Sequence, residues 1–250
     1  MKKIDFLPLS FSSLKAFSTS PAHFVAYKNR QQHETPAMRF GTAVHSATLE
    51  PEKFEDEYKV LTVRRGTKAY KALEEEHPNA IWLTQTEYED IQKLKEAVLS
   101  HDIASKLLKD CTAYEVALEG SISGLPFRGF ADGVSTKYVV DLKTTQKGAP
   151  RDFTNDAYRQ KYHMQGYIYT KLLSELTGQE INEHWLIAVE KSAPYVVTCY
   201  KLTKEYLEDG KTELERLVNE YKKWNGEPLG YDKNTVFGYF DLDVPSWAIK

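Results

Sequence analysis

Two short runs decide the fold: Gly129-Phe130-Ala131-Asp132 and, after the turn Ser135-Thr136-Lys137, Tyr138-Val139-Val140-Asp141-Leu142-Lys143-Thr144. Each reads as a strand of largely apolar residues with an acid set into it. A carboxylate among apolar neighbours is costly unless it is paired or binds a cation. Asp141 and Lys143 are two apart, so on a strand they share a face. A hairpin register can bring Asp132 beside Asp141. Two adjacent carboxylates repel, and a hard divalent cation relieves the repulsion. A lysine next to such a cation positions water or stabilises charge on a phosphate oxygen. The plain alternative is a D-x-K ion pair at a sheet rim, because so short a pattern recurs by chance.

Working outward, Tyr114 to Glu119 alternates like a strand, and Gly124-Leu125-Pro126 makes the turn into a second strand ending at Val134. After the third strand the spacing predicts one long helix from near Asn155 to Leu176, with Gly178 as its C-cap. Two more strands are expected, Trp185 to Val189 and Tyr195 to Tyr200, then an amphipathic helix capped by Thr203. The first third reads helical. Ser10 and Ser20-Pro21 start two short helices. Thr35-Pro36 starts a third, with Phe40, Ala43, Val44, Ala47 and Leu49 on its apolar side and Pro51 closing it. A short strand is expected at 58–61, a basic loop at 64–68, helices over 67–77 and 101–109, and between those two a long helix capped by Thr84. The Val244 to Ala248 tail is expected to pack back on the body. This order predicts an α/β domain with a mixed central sheet and helices on both faces. Residues 1–250 form one unit in this reading, with 1–110 mainly helical and 111–250 carrying the sheet.

Composition narrows the function. The 250 residues carry 33 Lys plus Arg against 36 Asp plus Glu, a net charge of −3. That excludes a protein that binds nucleic acid by bulk charge, but not one with a local basic groove. Residues 137–171 hold seven basic residues and three acids, and 64–71 adds Arg64, Arg65, Lys68 and Lys71 with no acid. Tyr158, Tyr162, Tyr167 and Tyr169 interleave with the first of these stretches, offering phosphate contacts or base stacking. Two cysteines, Cys111 and Cys199, exclude a disulfide scaffold and any four-cysteine zinc or iron–sulfur site. No run approaches the roughly 18 apolar residues that span a bilayer. Met1 to Phe6 begins like a signal peptide, but Ser10, Ser12, Ser13 and Lys15 interrupt the apolar region, so the cytoplasm is the expected location.

Two more signals flank the acids. His45 closes Gly41-Thr42-Ala43-Val44-His45 on an apolar helix, where a hydrogen-bonded core histidine is the common alternative. Gln165 and Tyr169, four apart, share a helical face near Lys161 and Tyr162. That face suits nucleic acid, or is simply amphipathic. In order the set is G-x-x-x-H, G-x-x-D, D-x-K-T and Q-x-x-x-Y, on helix, strand, strand and helix. It resembles the RecB-like branch of the PD-(D/E)xK nuclease superfamily, which has a restriction-endonuclease-like core. Leu9-Ser10-Phe11-Ser12-Ser13-Leu14, Arg64-Arg65-Gly66-Thr67-Lys68 and Pro245-Ser246-Trp247-Ala248 look like the phage and prophage exonuclease VIII (RecE) nuclease domains. The resemblance runs from about residue 9 to 248.

The resemblance implies roles. His45, Asp132, Asp141 and the Leu142 carbonyl match metal-binding positions, and Lys143 matches the catalytic lysine working with Asp132 and Asp141. Gln165 and Tyr169 match the helix that orients the active site and DNA. Arg64 and Arg65 are expected at a DNA end or phosphate. Glu115 is either a further acidic ligand or an exposed strand residue. The usual Glu of E-x-K is Asp141 here. Family members degrade linear double-stranded DNA 5′ to 3′ with Mg²⁺, for which Mn²⁺ is expected to substitute. They leave a 3′ single strand for recombination through a RecT-like annealing partner, and a homo-oligomer, in related enzymes a ring, is implied. The alternatives are another RecB-like nuclease, cutting internally or trimming ends, and an inactive DNA-binding module of the same fold. Two cysteines argue against the CRISPR adaptation nucleases and AddB-type subunits, which usually carry an iron–sulfur cluster.

Overall fold

The computed structural model describes residues 6–29, 35–231 and 244. The expectations for Met1 to Asp5 and for Pro245-Ser246-Trp247-Ala248, including the packing of the tail, lie outside these residues.

The helical first third consists of α1 (Phe11–Thr19), α2 (Pro21–Lys28), α3 (Pro36–Leu49), α4 (Pro51–Glu57), α5 (Lys68–Glu76), α6 (Gln85–Ser100) and α7 (Asp102–Lys109). Cap chemistry sets most of the starts. The side chains of Ser10, Ser20, Thr35, Thr67 and Thr84 each accept from a backbone N–H in the first turn. Pro51 follows the C-cap of α3 and also opens α4, an element the spacing did not predict; proline's fixed φ suits a first turn. Two three-residue strands, β1 (Tyr58–Val60) and β2 (Ile81–Leu83), pair in parallel beside this layer. β2 is too short to show a period.

The main sheet has five strands in the order β3 (Ala113–Ile122), β4 (Leu125–Val134), β5 (Tyr138–Thr145), β6 (Glu183–Glu190) and β7 (Val197–Lys201). Only β5 and β6 are parallel; the other neighbours are antiparallel. The helices α8 (Pro150–Arg159) and α9 (Tyr162–Thr177) form the crossover, and α10 (Lys204–Lys223) closes the fold. The single helix expected from Asn155 to Leu176 is therefore two. The chain breaks at Gln160, and Lys161 takes the left-handed conformation at φ 61°, which ends a right-handed helix.

The sheet is covered on both faces, which is why Tyr138-Val139-Val140 of β5 and Trp185 to Val189 of β6 are unbroken apolar runs. One face packs Leu118, Phe127 and Val139 against Phe17, Met164, Ile168, Leu214 and Tyr221, from α1, α9 and α10. The other packs Val140, Leu142 and Ile187 against Val44, Ala47, Ile91 and Leu94, from α3 and α6. Among the described residues no helix is long and apolar enough to cross a membrane.

One irregularity positions everything that follows. β3 and β4 pair along nearly their whole length, and so do β5 and β6. β4 and β5 share only two couples, Gly133 with Val140 and Val134 with Val139. Beyond Gly133 the strands part, leaving a cleft between two well-paired halves of one sheet.

α9 must sit close to α10 for its inner face to reach that cleft. A Cβ on Gly210 would lie 2.1 Å from the carbonyl oxygen of His163, a backbone atom that cannot swing away. Gly210→Ala is expected to force the helices apart and cost about 1–3 kcal/mol. Urea denaturation should show a lower midpoint with an unchanged slope; an unshifted midpoint would refute this packing constraint.

Candidate active site

The parting of β4 and β5 leaves strand-edge groups that need partners. The β3–β4 register couples Tyr114 to Gly133 and Val116 to Ala131, so Glu115 falls opposite Asp132. Continuing the β4–β5 register one step would set Asp132 opposite Asp141. At that step a side chain takes over from the ladder: Asp132 Oδ2 accepts from the Leu142 N–H at 2.7 Å. The same oxygen is 3.3 Å from His45 Nδ1, brought in by α3. Gly41, one turn earlier on α3, lies against Thr144 of β5. A Cβ there would sit 3.5 Å from Thr144 Oγ1, an ordinary contact, so the glycine is compatible with this approach rather than demanded by it.

Donor atoms of His45, Glu115 and Asp132 all lie within 4.8 Å of one another. This set of one imidazole and two carboxylates fits a hard divalent cation. Glu115 therefore belongs with the site. Its backbone is in the left-handed region at φ 48°, rare for a glutamate and costing of order 1–3 kcal/mol. Asp141 stands outside that donor group. Its Oδ2 pairs with the Lys143 ammonium, and its Oδ1 accepts from Gln165 Nε2 at 3.1 Å. Lys143 Nζ also lies 4.7 Å from the Tyr162 ring centre, a cation–π contact.

The charges are strongly coupled. Burial, with the nearby Asp132 charge adding to it, pushes the Asp141 carboxyl up to about 6 against the opposing pull of Lys143. Burial disfavours the Lys143 ammonium, but the Asp141 charge outweighs it and the lysine is held above its ordinary value. Burial likewise opposes ionisation of Asp132 and His45. Their mutual attraction and hydrogen bond win, lowering the acid and raising the imidazole. Burial and the Asp132 charge raise Glu115. A site holding three carboxyl groups this close has room for more positive charge than His45 and Lys143 supply.

Gln165 and Tyr169 do not form a surface for nucleic acid. They are only 6% and 8% exposed. Gln165 holds Asp141, and the Tyr169 ring lies over Gly129, where a Cβ would come within 2.7 Å of its Cε1. The glycine of G-x-x-D thus makes room for the tyrosine of Q-x-x-x-Y. The four tyrosines do not share one face either. Tyr158 stacks on His163 with ring centres 4.7 Å apart, Tyr162 lies under Lys143, and Tyr167 lines a different cavity. Arg64 and Arg65 sit in the exposed loop before α5, where Arg65 Nη2 donates to the Trp82 carbonyl at 3.0 Å. Neither lines the cleft. The Leu142 carbonyl belongs to a cleft-lining residue.

The cleft has a volume of about 620 Å³ and is lined by His45, Glu115, Asp132, Leu142, Lys143 and Tyr162, among others. A larger cavity of about 970 Å³ lies elsewhere, between the second half of α9 and the start of α10, and contains none of these groups. Sequence reading missed His184 of β6. It is fully buried, neither ring nitrogen meets a hydrogen-bond partner, and burial lowers its pKa to about 3, so it is neutral. Its ring centre is 6.4 Å from that of Tyr169. The only hint in the sequence is its place at the start of an apolar strand.

A family model described as a PDDEXK-like domain of unknown function (DUF3799) matches residues 10–228. No curated protein matches the chain by sequence. Among solved structures, a presumed exonuclease of Eubacterium rectale is similar over 88% of this chain and 83% of its own, with TM-score 0.61 and 14% identity. LHK-Exo in complex with dAMP covers 88% and 91% at 12% identity, with TM-score 0.37. The Eubacterium rectale structure supports the fold. The motif order, the five-stranded mixed sheet and the family match agree on a PD-(D/E)xK-type core.

The Asp141–Lys143 pair makes a prediction about stability. Asp141 is 2% exposed, so Lys143→Met leaves a buried carboxylate with only Gln165 to hold it. The expected loss is about 3–5 kcal/mol at neutral pH in EDTA. The raised folded-state pKa of Asp141 means the folded chain keeps a proton that the unfolded chain has lost, so this group favours folding less as pH rises through about 6. Removing Lys143 raises it further. The deficit should therefore shrink between pH 7.5 and pH 5, read by urea denaturation at both; an equal deficit at the two values would contradict this.

Proposed function

Because the chain belongs to the PDDEXK-like family DUF3799, we propose that it is a metal-dependent DNA nuclease whose centre is the cleft between β4 and β5. The observation that carries this reading is the His45–Glu115–Asp132 donor set beside the Asp141–Lys143 pair in one open cleft. His45, Glu115 and Asp132 would hold the cation, with Asp141 and the Leu142 carbonyl beside them, and Mg²⁺ is the ion expected, with Mn²⁺ as substitute. When bound, the cation supplies Lewis-acid stabilisation of phosphoryl charge and acidifies water.

The chain's own groups do the rest. The Lys143 ammonium, anchored by Asp141 and Tyr162, presents positive charge to a phosphate oxygen or the attacking water. Gln165 donates to the Asp141 carboxylate that pairs with Lys143, and Tyr169 packs on β4 at Gly129. The His45 imidazole, raised by Asp132, would release its proton to water before a ring nitrogen could serve a cation. We take the substrate to be linear double-stranded DNA, degraded from the 5′ end in the cytoplasm to leave a 3′ strand for recombination. An annealing partner of RecT type and a homo-oligomer belong to the same reading. Stability explains the Asp141–Lys143 pair but not the His45–Glu115–Asp132 donor group beside it, which disfavours an inactive module.

The test is digestion of end-labelled linear duplex with Mg²⁺, alongside closed circular plasmid. Wild-type protein should release 5′ label and spare the circle, and EDTA should stop it. Asp132→Asn and Lys143→Ala should each lower the rate by at least about 10²-fold. Undiminished cleavage by either variant would overturn the assignment, and cutting of the circle would replace an exonuclease with an endonuclease.

A further inference from the structure

A second cavity, of about 540 Å³, adjoins the catalytic cleft. The two share Lys143, Thr144 and Tyr162, so they meet at Lys143 as the two halves of a groove. Its halves differ in charge. The cleft half carries Glu50, Glu57, Glu115 and Asp132, and its Lys53 is engaged by Glu50 at 2.9 Å. The far half carries Lys147, Arg159 and Lys191. Among the described residues none of these three has a carboxylate within ion-pair distance. Two acids, Asp152 and Asp156, line the same half. The charge of Asp156 also acts on Lys15 of α1, a half-buried ammonium that donates to the neutral amide of Gln160. Beyond Lys143, three lining cations face two lining acids there, and the pairing of Lys161 with Glu213 is separate.

Two of the three cations start from fixed backbone. Lys147 N–H donates to Thr145 Oγ1 at 3.0 Å, and Lys191 N–H donates to the Thr145 carbonyl at 2.8 Å. Lys147 thus follows the end of β5 and Lys191 the end of β6, and both are tied to Thr145, two residues beyond Lys143. Gly148 N–H is tied to Glu190 at 2.8 Å, and the floor residue Phe153 stacks on Tyr200 with ring centres 4.6 Å apart. Arg159 comes from the last turn of α8. Unpaired cations on a rigid frame, next to a lysine already set for phosphate chemistry, suit a second anionic group on the same ligand.

We propose that the far half of the groove seats the backbone phosphates next to the one that is cut, held by Lys147, Arg159 and Lys191. This rests on the nuclease reading. It also sets the path of the strand: away from the acidic half, over Lys143, and out along the basic half.

The test compares wild type with the variant Lys147→Ala/Arg159→Ala/Lys191→Ala on two substrates with Mn²⁺: linear duplex DNA and bis(4-nitrophenyl) phosphate, which has a single phosphodiester. The triple variant should raise KM for duplex by about tenfold or more. Its loss in kcat/KM on the small diester should be at least about tenfold smaller than its loss on duplex. Duplex binding followed by anisotropy in Ca²⁺ should show the slope of log affinity against log salt reduced by about 2.7, at about 0.9 per phosphate contact removed. A urea midpoint matching wild type confirms folding; if the triple variant is unstable, the single Lys147→Ala and Lys191→Ala variants are read instead. An unchanged KM and salt slope, or equal losses on both substrates, would overturn the proposal. If wild-type protein cleaves neither substrate the nuclease reading fails, and the salt slope still decides whether the groove holds phosphates.

Discussion

A carboxylate that replaces a missing rung of the sheet is the constraint on which the site depends. Where β4 and β5 part, the Leu142 N–H loses its strand partner, and Asp132 supplies an oxygen in its place. A buried donor left unmade costs about 1–3 kcal/mol, so the bond holds Asp132 at the mouth of the cleft. That carboxylate in turn needs a counter-charge, and His45 from α3 provides it. On the other side of the gap Asp141 needs one too, and receives Lys143 and Gln165. Helices from both layers are thus recruited to one row of acids. Taking out any single partner strands a buried charge, which is costlier than never having built the pair.

β5 carries most of this chemistry because it is central and parallel to β6. Its alternation divides the labour. Asp141, Lys143 and Thr145 fall on one parity, and Leu142 and Thr144 on the other. The first set supplies the ion pair and the hydroxyl that anchors the Lys147 backbone. Leu142 goes to the core under α3, and Thr144 meets Gly41. One eight-residue strand therefore connects the acidic half of the groove to the basic half, with Lys143 at the change of sign.

Strand positions and the acids on them were legible because period-2 alternation and turn residues act locally. So were the helix starts, since Ser10, Ser20, Thr35 and Thr84 cap through their own side chains. The break at Lys161 was not, because a left-handed lysine leaves no compositional mark and no Gly or Pro flanks it. The roles of Gln165 and Tyr169 were read only halfway. Four-residue spacing puts them on one face, but nothing local says that this face looks inward at Asp141 and Gly129 rather than outward. Glu115 could be assigned only from the β3–β4 register, a long-range property. Arg64 and Arg65 differ again: the basic run lies in an exposed loop where Arg65 meets the Trp82 carbonyl, and neither residue lines the cleft, a placement no local pattern gives.

The acid of D-x-K bears on how the donor set is shared. An aspartate is one methylene shorter than the glutamate usual at this place, so the Asp141 carboxylate stays close to β5, within reach of Lys143 and Gln165. The donor group gathers instead around Asp132, and the longer acid that completes it comes from the neighbouring strand. Glu115 is held at φ 48° to do so. An unfavourable backbone conformation persists only where its surroundings over-determine it, and such sites cluster where chemistry is done. With an extended backbone at 115, alternation along β3 would decide where that carboxyl pointed. The left-handed kink breaks the alternation and leaves Glu115 in the cleft beside Asp132 and His45. A short acid on one strand and a strained long acid on the other are thus two parts of one arrangement, in which Asp141 pairs with the lysine and Glu115 joins the His45–Asp132 donor group.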